Sequence, residues 1–264
     1  MLRVKPDQIT PAIRELFGAD DPAKLRCLAV LEGIVPGDIL VDNLRNPAWG
    51  LVRGVGGGTT FLSQDISSDL SHQMISMLRQ TGNVVIGMWE NDSRWARLPS
   101  DAAQDGVNIE FMDRAIEQEL DTFLQAKSPD WRIQSIDAVV FPRCAWYAVI
   151  CREYGTAEQF FQKGLGYCLV RADEILAEVY LTPAVQGVRE IGVRTQEAYR
   201  GLGCGIVLSA YGIKACEQLG DRVYWNTAQQ NLASIAIARK LGFQRERVYP
   251  VRIWRIPDKV VGNL

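Results

Sequence analysis

Hydrophobic and polar residues alternate in short runs along the first half of the chain, and this pattern predicts mixed α/β structure. Segments 39–43, 49–55 and 59–63 are rich in β-branched and aromatic residues and are separated by turn residues, which favours three strands. Before them, segments 11–17 and 21–31 carry Pro or Asp-Pro at their starts, as helices often do. The pattern therefore predicts two helices followed by three successive strands.

One more helix and one more strand follow these strands. Segment 69–80 has a helical rhythm of apolar residues, and segment 84–89 is strand-like. We expect a polar loop over 91–108 and a helix over 113–126. Residues 128–130, with the sequence Ser-Pro-Asp, then form the best candidate for a linker.

Three consecutive glycines, Gly56, Gly57 and Gly58, separate the second and third predicted strands. They have neither the GxGxxG spacing of a dinucleotide site nor the Gly-Lys-Ser/Thr sequence of a P-loop. We interpret them as a hairpin turn.

The second half of the chain also alternates strands and helices. Segments 136–141 and 144–151 are strand-like, and 156–162 is helix-like. Strands are predicted next at 166–172, 175–181 and 189–195, a helix at 203–219, a strand at 222–227, a helix at 231–241 and a strand at 248–256. This order predicts an α/β (α+β) fold, with a mixed β-sheet flanked by helices. We expect a smaller N-terminal α/β domain over 1–130 and a second domain over 131–264.

Composition and charge exclude several classes of protein. The 264 residues are 47% hydrophobic and 23% charged, which is close to the globular average. The longest uncharged apolar run, 144–151, is far shorter than the ~20 residues of a membrane helix. The N-terminal residues are charged and lack the apolar core of a secretory signal, so we expect a cytoplasmic protein.

Charge differs between the two halves. Residues 1–130 hold 12 basic and 19 acidic residues, whereas residues 131–264 hold 17 and 12. The basic residues are scattered, which argues against a nucleic-acid surface. We expect an anionic ligand to meet the second half.

The cysteines and the single histidine favour no metal site. The six cysteines contain no CxxC pair, and His72 alone cannot complete a Cys/His set for zinc. His72 lies near the start of a predicted helix, where we interpret it as a surface or cap residue. Chemistry of the Ser-His-Asp or Cys-His type is therefore not expected.

The segment EIGVRTQEAYRGLGCGIVLSAYGIKACEQLG, residues 190–220, carries the strongest chemical pattern. A strand leads into Arg200, Gly201, Leu202 and Gly203, and a helix with apolar residues at four-residue steps follows. Such a turn directs backbone N–H groups and the positive end of a helix at one point, and its glycines allow a diphosphate to approach. The simpler alternative is a glycine-rich turn that binds nothing.

Two blocks of this half resemble the GNAT superfamily of N-acetyltransferases. The arrangement R-x-x-G-x-G, at Arg200, Gly203 and Gly205, is similar to the family's acetyl-CoA pyrophosphate loop. The segment NLASIAIARKLGF, residues 231–243, is similar to the family's N-x-x-[AS]-x-x-x-x-x-K-x-G-F block. Together the blocks cover about 165–256. The second block also fits a capped helix, with Asn231 as the N-cap and Gly242 after the C-terminus.

The resemblance implies acetyl-CoA as co-substrate and no metal. The pantetheine arm would pair with a strand backbone, and the diphosphate would lie on the loop and the helix start. The cofactor residues would be Val193, Arg194, Thr195, Arg200, Gly201, Leu202, Gly203, Cys204, Gly205, Ile206 and Asn231.

The implied reaction is the attack of a neutral amine on a thioester, through a tetrahedral oxyanion. A base must deprotonate the ammonium, and Glu190 and Glu178 are the two candidates, a structural role for either being the alternative. The oxyanion donor would be the N–H group near Val193. Where many family members carry a general-acid Tyr, this chain has Ala238; Tyr180, Tyr211 and Tyr224 are possible replacements.

The function expected is acetyl transfer to a primary amine, one carried by a small molecule, by direct attack in a ternary complex. Cys204, at a helix N-terminus, is the one candidate for a covalent route. A catalytically silent acyl-CoA-binding module is the alternative function. We expect no nucleic-acid or membrane partner. The first half could be a degenerate second copy of the same fold or an unrelated cover. In either case we expect it to form one wall of the acceptor site.

Overall fold

The computed structural model describes residues 1–18, 20–54, 58–115 and 119–256. The chain folds into two structural units. Among the described residues, the first consists of residues 1–108 and 248–256, and the second is Ile109–Arg247. The boundaries fall inside two long strands, β6 (Ala103–Arg114) and β12 (Phe243–Trp254). Residue 130, where the sequence pattern predicts a domain boundary, lies inside the second unit.

The first unit has helices beside an antiparallel run of strands that ends in a parallel pair. Its remaining elements are β1 (Leu2–Arg3), α1 (Pro11–Glu15), α2 (Lys24–Leu31), β2 (Gly37–Val41), β3 (Gly50–Gly54), β4 (Gly58–Leu62), α3 (Ser68–Leu78) and β5 (Val84–Gly87). The strand order is β1-β2-β3-β4-β5, with β4 and β5 parallel. His72 is exposed on α3, as predicted.

The second unit repeats the order of three antiparallel strands, a helix and a parallel strand. Its elements are α4 (Leu120–Gln125), β7 (Trp131–Ser135), α5 (Tyr147–Tyr154), α6 (Ala157–Lys163), β8 (Leu165–Arg171), β9 (Glu174–Leu181), β10 (Val188–Thr195), α7 (Cys204–Gln218), β11 (Arg222–Ala228) and α8 (Leu232–Lys240). The strand order is β6-β11-β10-β9-β8-β7. Only β10 and β11 are parallel among the pairings described for this unit.

Alternating side chains divide the residues of this sheet between two hydrophobic clusters. Leu169, Val179 and Ile191 pack in the cluster that contains the apolar residues of α7. Cys168 and Tyr180, from the other face of the same strands, pack in the cluster that contains residues of α5 and α6. The mixed sheet between helices confirms the predicted α/β fold class, and the strands and helices from β8 to α8 lie where the sequence places them.

Three predicted elements before β8 are wrong. The chain over 103–114 is the strand β6, where we expected part of a loop and the start of a helix. Segment 136–141 is a turn, because the Asp137 carboxylate accepts the N–H groups of Val139 and Val140. Segment 144–151 runs into helix α5, and the strand of this region is the earlier β7.

One glycine of the predicted Gly56–Gly58 turn lies among the described residues. Strands β3 and β4 pair antiparallel, which fits a hairpin connection. Gly58 begins β4, while Gly56 and Gly57 lie outside the described residues.

Candidate active site

Strands β10 and β11 pair at their beginnings and then separate. The parallel register joins Val188 to Arg222 and ends with Glu190 opposite Tyr224. Both strands continue beyond this point, β10 to Thr195 and β11 to Ala228, and no further pairing between them is found among the described residues. A gap therefore opens between two neighbouring strands of the sheet.

The backbone of β10 presents hydrogen-bonding groups to this gap. The Glu190 carbonyl accepts the Thr182 N–H at 2.8 Å, and the Gln196 N–H donates to the Leu176 carbonyl at 2.9 Å. In an antiparallel pair, hydrogen bonding to one neighbour alternates along the strand. The even-numbered residues thus bond to β9, and the backbone groups of Val193 and Thr195 point toward the gap.

The predicted glycine loop continues directly from this strand. After a short 3-10 helix at Glu197–Tyr199, Arg200 is extended and exposed. Gly201 and Gly203 have φ angles of 80° and 85°, in the left-handed region that side chains other than glycine rarely adopt. A Cβ atom at either position would meet no atom within 4 Å. Leu202, between them, is 58% exposed.

The start of α7 packs tightly on the strand. A Cβ atom at Gly205 would lie 3.0 Å from Thr195 Oγ1 and 3.1 Å from Ile237 Cδ1. Glycine at this position therefore allows the first turn of the helix to approach β10. The first N–H groups of a helix have no partner within it and carry the positive end of its dipole. Ile206, half-buried in that turn, packs on the same core.

This loop fits an anion such as the diphosphate of a CoA thioester. Open space above Gly201 and Gly203, a helix start and the Arg200 guanidinium are present together. The β10 backbone groups lie at the adjoining gap. Arg194 is exposed, and in the antiparallel register of β10 and β9 it lies opposite Glu178.

Cys204 lies at the helix start but is not exposed. It is 1% exposed. Burial raises the pKa of its thiol, against the smaller lowering by a backbone hydrogen bond. The lowered pKa that a helix N-terminus can produce is therefore not found here, and the thiol is disfavoured as a nucleophile.

Glu178 and Glu190 have different surroundings, although both side chains lie on the α5 face of the sheet. Glu178 is buried at 4% exposure. Its carboxylate accepts the backbone N–H of Ala145 at 2.8 Å and of Trp146 at 3.2 Å, just before α5 begins. Glu190 is half-buried on the last paired position of β10, at the edge of the gap.

Aromatic rings cover the strand just beyond Glu190. A Cβ atom at Gly192 would lie 2.7 Å from the Tyr180 ring and 3.1 Å from the Trp146 ring. These two rings are perpendicular, with centroids 5.5 Å apart. Glycine at position 192 is therefore needed for the rings to reach the backbone.

A buried polar network on the same face was not predicted. Glu110, on β6, is 1% exposed and accepts the Tyr224 hydroxyl at 2.5 Å and the Arg247 Nε–H at 2.9 Å. The Asn226 side-chain amide donates to the Tyr224 hydroxyl at 2.8 Å. The sequence signal for this network is the alternation of apolar Ile109 and Phe111 with polar Glu110, which is typical of a strand.

The second predicted block forms a capped helix. Asn231 is exposed, and its side chain accepts the Ser234 N–H at 3.2 Å as the N-cap of α8. Gly242 follows the helix with a φ of 86°. Ala238, where the resemblance expects a tyrosine, is fully buried in the core on the α7 side.

Each of the three candidate tyrosines has a hydrogen bond or a ring contact of its own. The Tyr224 hydroxyl donates a hydrogen bond to the Glu110 carboxylate. Tyr211 packs its ring against Tyr167 on the α7 side of the sheet, at a centroid distance of 4.8 Å. Tyr180 packs its ring against Trp146.

The described residues contain no group of three or more His, Cys, Asp or Glu that could hold a metal ion. Within the same residues, no helix has the length and apolarity to cross a membrane.

Comparison with known proteins identifies the family to which the sequence is similar. The family model for GNAT acetyltransferases matches residues 16–252. An uncharacterized N-acetyltransferase of Bacillus subtilis, YdfB, is 29% identical over 98 residues, which are 37% of this chain and 38% of that protein. The chain thus spans well under half of the length of this curated relative.

Solved structures share the fold. A GCN5-related N-acetyltransferase-like protein of Streptococcus suis superimposes with a TM-score of 0.78 at 24% identity, over 94% of this chain and 99% of that one. A tandem GNAT protein from the clavulanic acid biosynthesis pathway has a TM-score of 0.57 at 12% identity, over 95% and 97% of the chains. The family match across most of the sequence establishes that the chain belongs to the GNAT acetyltransferase family.

Proposed function

We propose that this acyltransferase moves an acetyl group from acetyl-CoA to a primary amine of a small molecule, by direct attack in a ternary complex. The observation that carries the proposal is the separation of β10 and β11 beside the Gly201–Gly205 loop. Acetyl-CoA supplies an activated thioester. The protein supplies a place to hold it and groups that manage protons and charge.

The residues that would hold the co-substrate form two sets. The backbone groups of Val193 and Thr195 suit a pantetheine arm, because an extended amide-bearing chain can add to an exposed strand edge. The backbone of Arg194 faces β9, so its predicted contact with the co-substrate would have to come from its exposed side chain. The loop and the first turn of α7 suit the diphosphate, through the N–H groups of Gly201, Leu202, Gly203, Cys204, Gly205 and Ile206. The backbone N–H of Arg200 donates to the Glu197 carbonyl at 3.2 Å, so Arg200 would contribute its guanidinium. Asn231 caps α8, and its proposed contact with the co-substrate stays a prediction.

Glu190 is the better candidate for the base. It lies at the edge of the gap, where an amine can reach it directly or through one water. Glu178 is the weaker candidate, since its two oxygens already accept two backbone N–H groups. The Val193 N–H, directed into the gap, is suited to donate to the oxygen that gains negative charge during attack.

The thiolate of CoA has no assigned acid. Ala238 provides no hydroxyl, and the Tyr224 proton is engaged by Glu110. A thiolate is a tolerable leaving group, with an ordinary thiol pKa of about 8.5, so protonation by water suffices. The burial of Cys204 and its raised pKa support direct transfer without an acetylated enzyme.

The first unit is proposed as a degenerate copy of the second. Both have three antiparallel strands, a helix and a parallel strand in sequence. The segment between β4 and α3, Ser63–Ser67, has no glycine and carries Asp65, so it lacks the features that suit an anion. We therefore assign the co-substrate to the second unit alone.

A silent acyl-CoA-binding module is the second candidate function. It is favoured by Ala238, because the position of the expected acid belongs to the packed core. It predicts tight CoA binding without turnover.

Thiol release separates the two candidates. The purified chain is incubated with acetyl-CoA and, one at a time, L-lysine, spermidine and kanamycin. Amine-dependent release supports the transferase. Glu190→Gln should then lower kcat by about 10²- to 10⁴-fold, the usual contribution of a general base, while the matched Glu178→Gln variant keeps most of its kcat. CoA binding by calorimetry without release for any amine would favour the module instead.

A further inference from the structure

Tyr224 and Glu110 form a buried pair beside the gap. Tyr224 is 4% exposed and Glu110 is 1% exposed. The hydroxyl oxygen lies 2.5 Å from the carboxylate Oε2. Because an ionised carboxylate only accepts hydrogen bonds, the single hydroxyl proton of Tyr224 must point to Glu110.

Arg247 holds this carboxylate in place. Its Nε lies 2.9 Å from Glu110 Oε1 and its Nη2 lies 2.7 Å from the same oxygen. A buried carboxylate is costly unless it is paired, so the arginine keeps the charge stable and its orientation fixed. Arg247 thus binds one oxygen of the carboxylate, and the Tyr224 hydroxyl donates to the other.

The anchored hydroxyl in turn orients an amide. Asn226 Nδ2 donates to the Tyr224 oxygen at 2.8 Å. Since the hydroxyl proton is already directed at Glu110, the amide must present its nitrogen to Tyr224. Because the amide group is planar, the hydrogen bond of Nδ2 to Tyr224 also fixes the direction in which the Asn226 oxygen Oδ1 points.

Asn226 lies on the part of β11 that has left β10. It is half-buried and comes two residues after Tyr224, the last residue in the parallel register. Side chains two apart on a strand share a face, and paired residues of neighbouring strands do as well. The amide is therefore on the same face as Glu190, at the wall of the gap.

We propose that Asn226 binds the acceptor amine through Oδ1, and that Tyr224 and Glu110 are positioning residues that act through it. This rests on the proposed function. A neutral amine has two N–H donors and one lone pair, so an acceptor that engages one N–H group directs the lone pair. An uncharged amide does this without stabilising the unreactive ammonium form, as a second carboxylate at this point would do. Glu190 remains the group that takes the proton.

A double-mutant cycle tests the coupling, using whichever of L-lysine, spermidine and kanamycin the wild-type chain acetylates. Asn226→Ala and Tyr224→Phe should each raise KM for the amine about tenfold, the effect of one hydrogen bond, with KM for acetyl-CoA unchanged. The double variant should be no worse than Asn226→Ala, because Tyr224 acts only through Asn226. Tyr211→Phe, the same deletion on the other face, is the control and should change neither constant.

A second readout does not depend on turnover. In ¹⁵N NMR spectra of the full chain, the Asn226 side-chain amide should have slow hydrogen exchange that Tyr224→Phe accelerates and Tyr211→Phe does not. Asn226→Ala, at a half-buried position, carries the kinetic test should Tyr224→Phe fail to fold.

Two results would overturn this inference while leaving the proposed function intact. One is turnover by all variants with amine KM within twofold of wild type and only the melting temperature lowered, as expected of a structural network. The other is additive effects of Asn226→Ala and Tyr224→Phe. Absence of turnover in the wild-type chain with all three amines would instead overturn the proposed function and this inference with it.

Discussion

The Glu178 carboxylate accepts the backbone N–H of Ala145 at 2.8 Å, and this contact joins strand β9 to the segment that begins helix α5. The second oxygen accepts the neighbouring Trp146 N–H at 3.2 Å. A charged oxygen near the start of a helix also interacts favourably with the helix dipole. The same carboxylate that the sequence offers as a base is thus engaged in holding α5.

Glu178→Gln should therefore weaken the fold more than the chemistry. An amide keeps one acceptor oxygen but turns an N–H group toward a backbone donor, which costs about 1–3 kcal/mol when buried. We expect the free energy of unfolding in urea to fall by that amount, with kcat for the acetylated amine within about threefold of wild type. A variant of unchanged stability whose kcat falls 100-fold would instead make Glu178 the base.

The glycine loop shows what local sequence can predict. A strand, glycines at fixed spacing and an apolar helix are near neighbours in the chain, so the turn at Gly201 and Gly203 and the helix from Cys204 could be derived without knowing any distant contact. The same holds for α8, whose N-cap Asn231 is visible in the sequence.

Glu110 shows what local sequence could not predict. An acidic residue in a sequence predicts a surface position unless its partners are known. The partners of Glu110 are Tyr224 and Arg247, which lie more than 100 residues away in the sequence. The charge of Glu110 obscures the alternation with the apolar residues Ile109 and Phe111, so the sequence pattern does not predict the strand β6.

The prediction of a strand over segment 144–151 is wrong because its sequence pattern is ambiguous. Its uninterrupted apolar run fits a buried strand or a buried helix, and periodicity alone does not separate them. Helix α5 forms because Ile150 and Tyr154, four residues apart, are buried on one face and Glu178 holds the segment where the helix begins.

Gly203→Val should weaken CoA binding more than Arg200→Ala does. The left-handed backbone at Gly203 costs a residue with a Cβ about 1–2 kcal/mol, and a branched side chain would also occupy the open space that suits the diphosphate. Arg200→Ala removes one exposed guanidinium, which salt and water screen.

Calorimetric titration of each variant with CoA measures the difference. Thermal melts must first show that both variants are folded, because Gly203 precedes α7. Gly203→Ala, with the strain but little of the bulk, separates the two causes. If folded Gly203→Val and wild type bind CoA with the same affinity, this loop does not hold the diphosphate.

Cys204 should resist alkylation at neutral pH. Burial leaves 1% of the residue exposed and raises the pKa of its thiol, so little reactive thiolate is accessible. After treatment with iodoacetamide at pH 7.5, peptide mass spectrometry should find Cys151, which is half-buried, alkylated before Cys204. Cys204→Ala should remain active. Rapid alkylation of Cys204, or an acetyl group on it after incubation with acetyl-CoA, would point to a covalent route.

Tyr154 should make the second unit sensitive to alkaline pH. It is 3% exposed, and its hydroxyl donates to the Leu181 carbonyl at 2.5 Å. Burial raises the pKa of Tyr154 to about 12, above the ordinary value of about 10 for an exposed phenol. The folded state therefore favours the neutral phenol. The stabilisation this provides is complete below pH ~10 and is lost as the pH rises from about 10 to 12.

The Tyr154→Phe variant should be less stable than wild type at neutral pH, and this difference in the free energy of unfolding should shrink as the pH rises. At pH 8 the variant lacks the hydrogen bond of the buried hydroxyl, which lowers the free energy of unfolding by about 0.5–1.5 kcal/mol. Toward pH 11 the wild-type chain loses stability through Tyr154, while phenylalanine has no proton to lose, so the two curves should converge. Urea unfolding followed by tryptophan fluorescence at pH 8, 9.5 and 11 measures this difference, with Tyr211→Phe as the partly exposed control. Parallel curves for Tyr154→Phe and wild type would mean that the Tyr154 phenol titrates alike in the folded and unfolded chains.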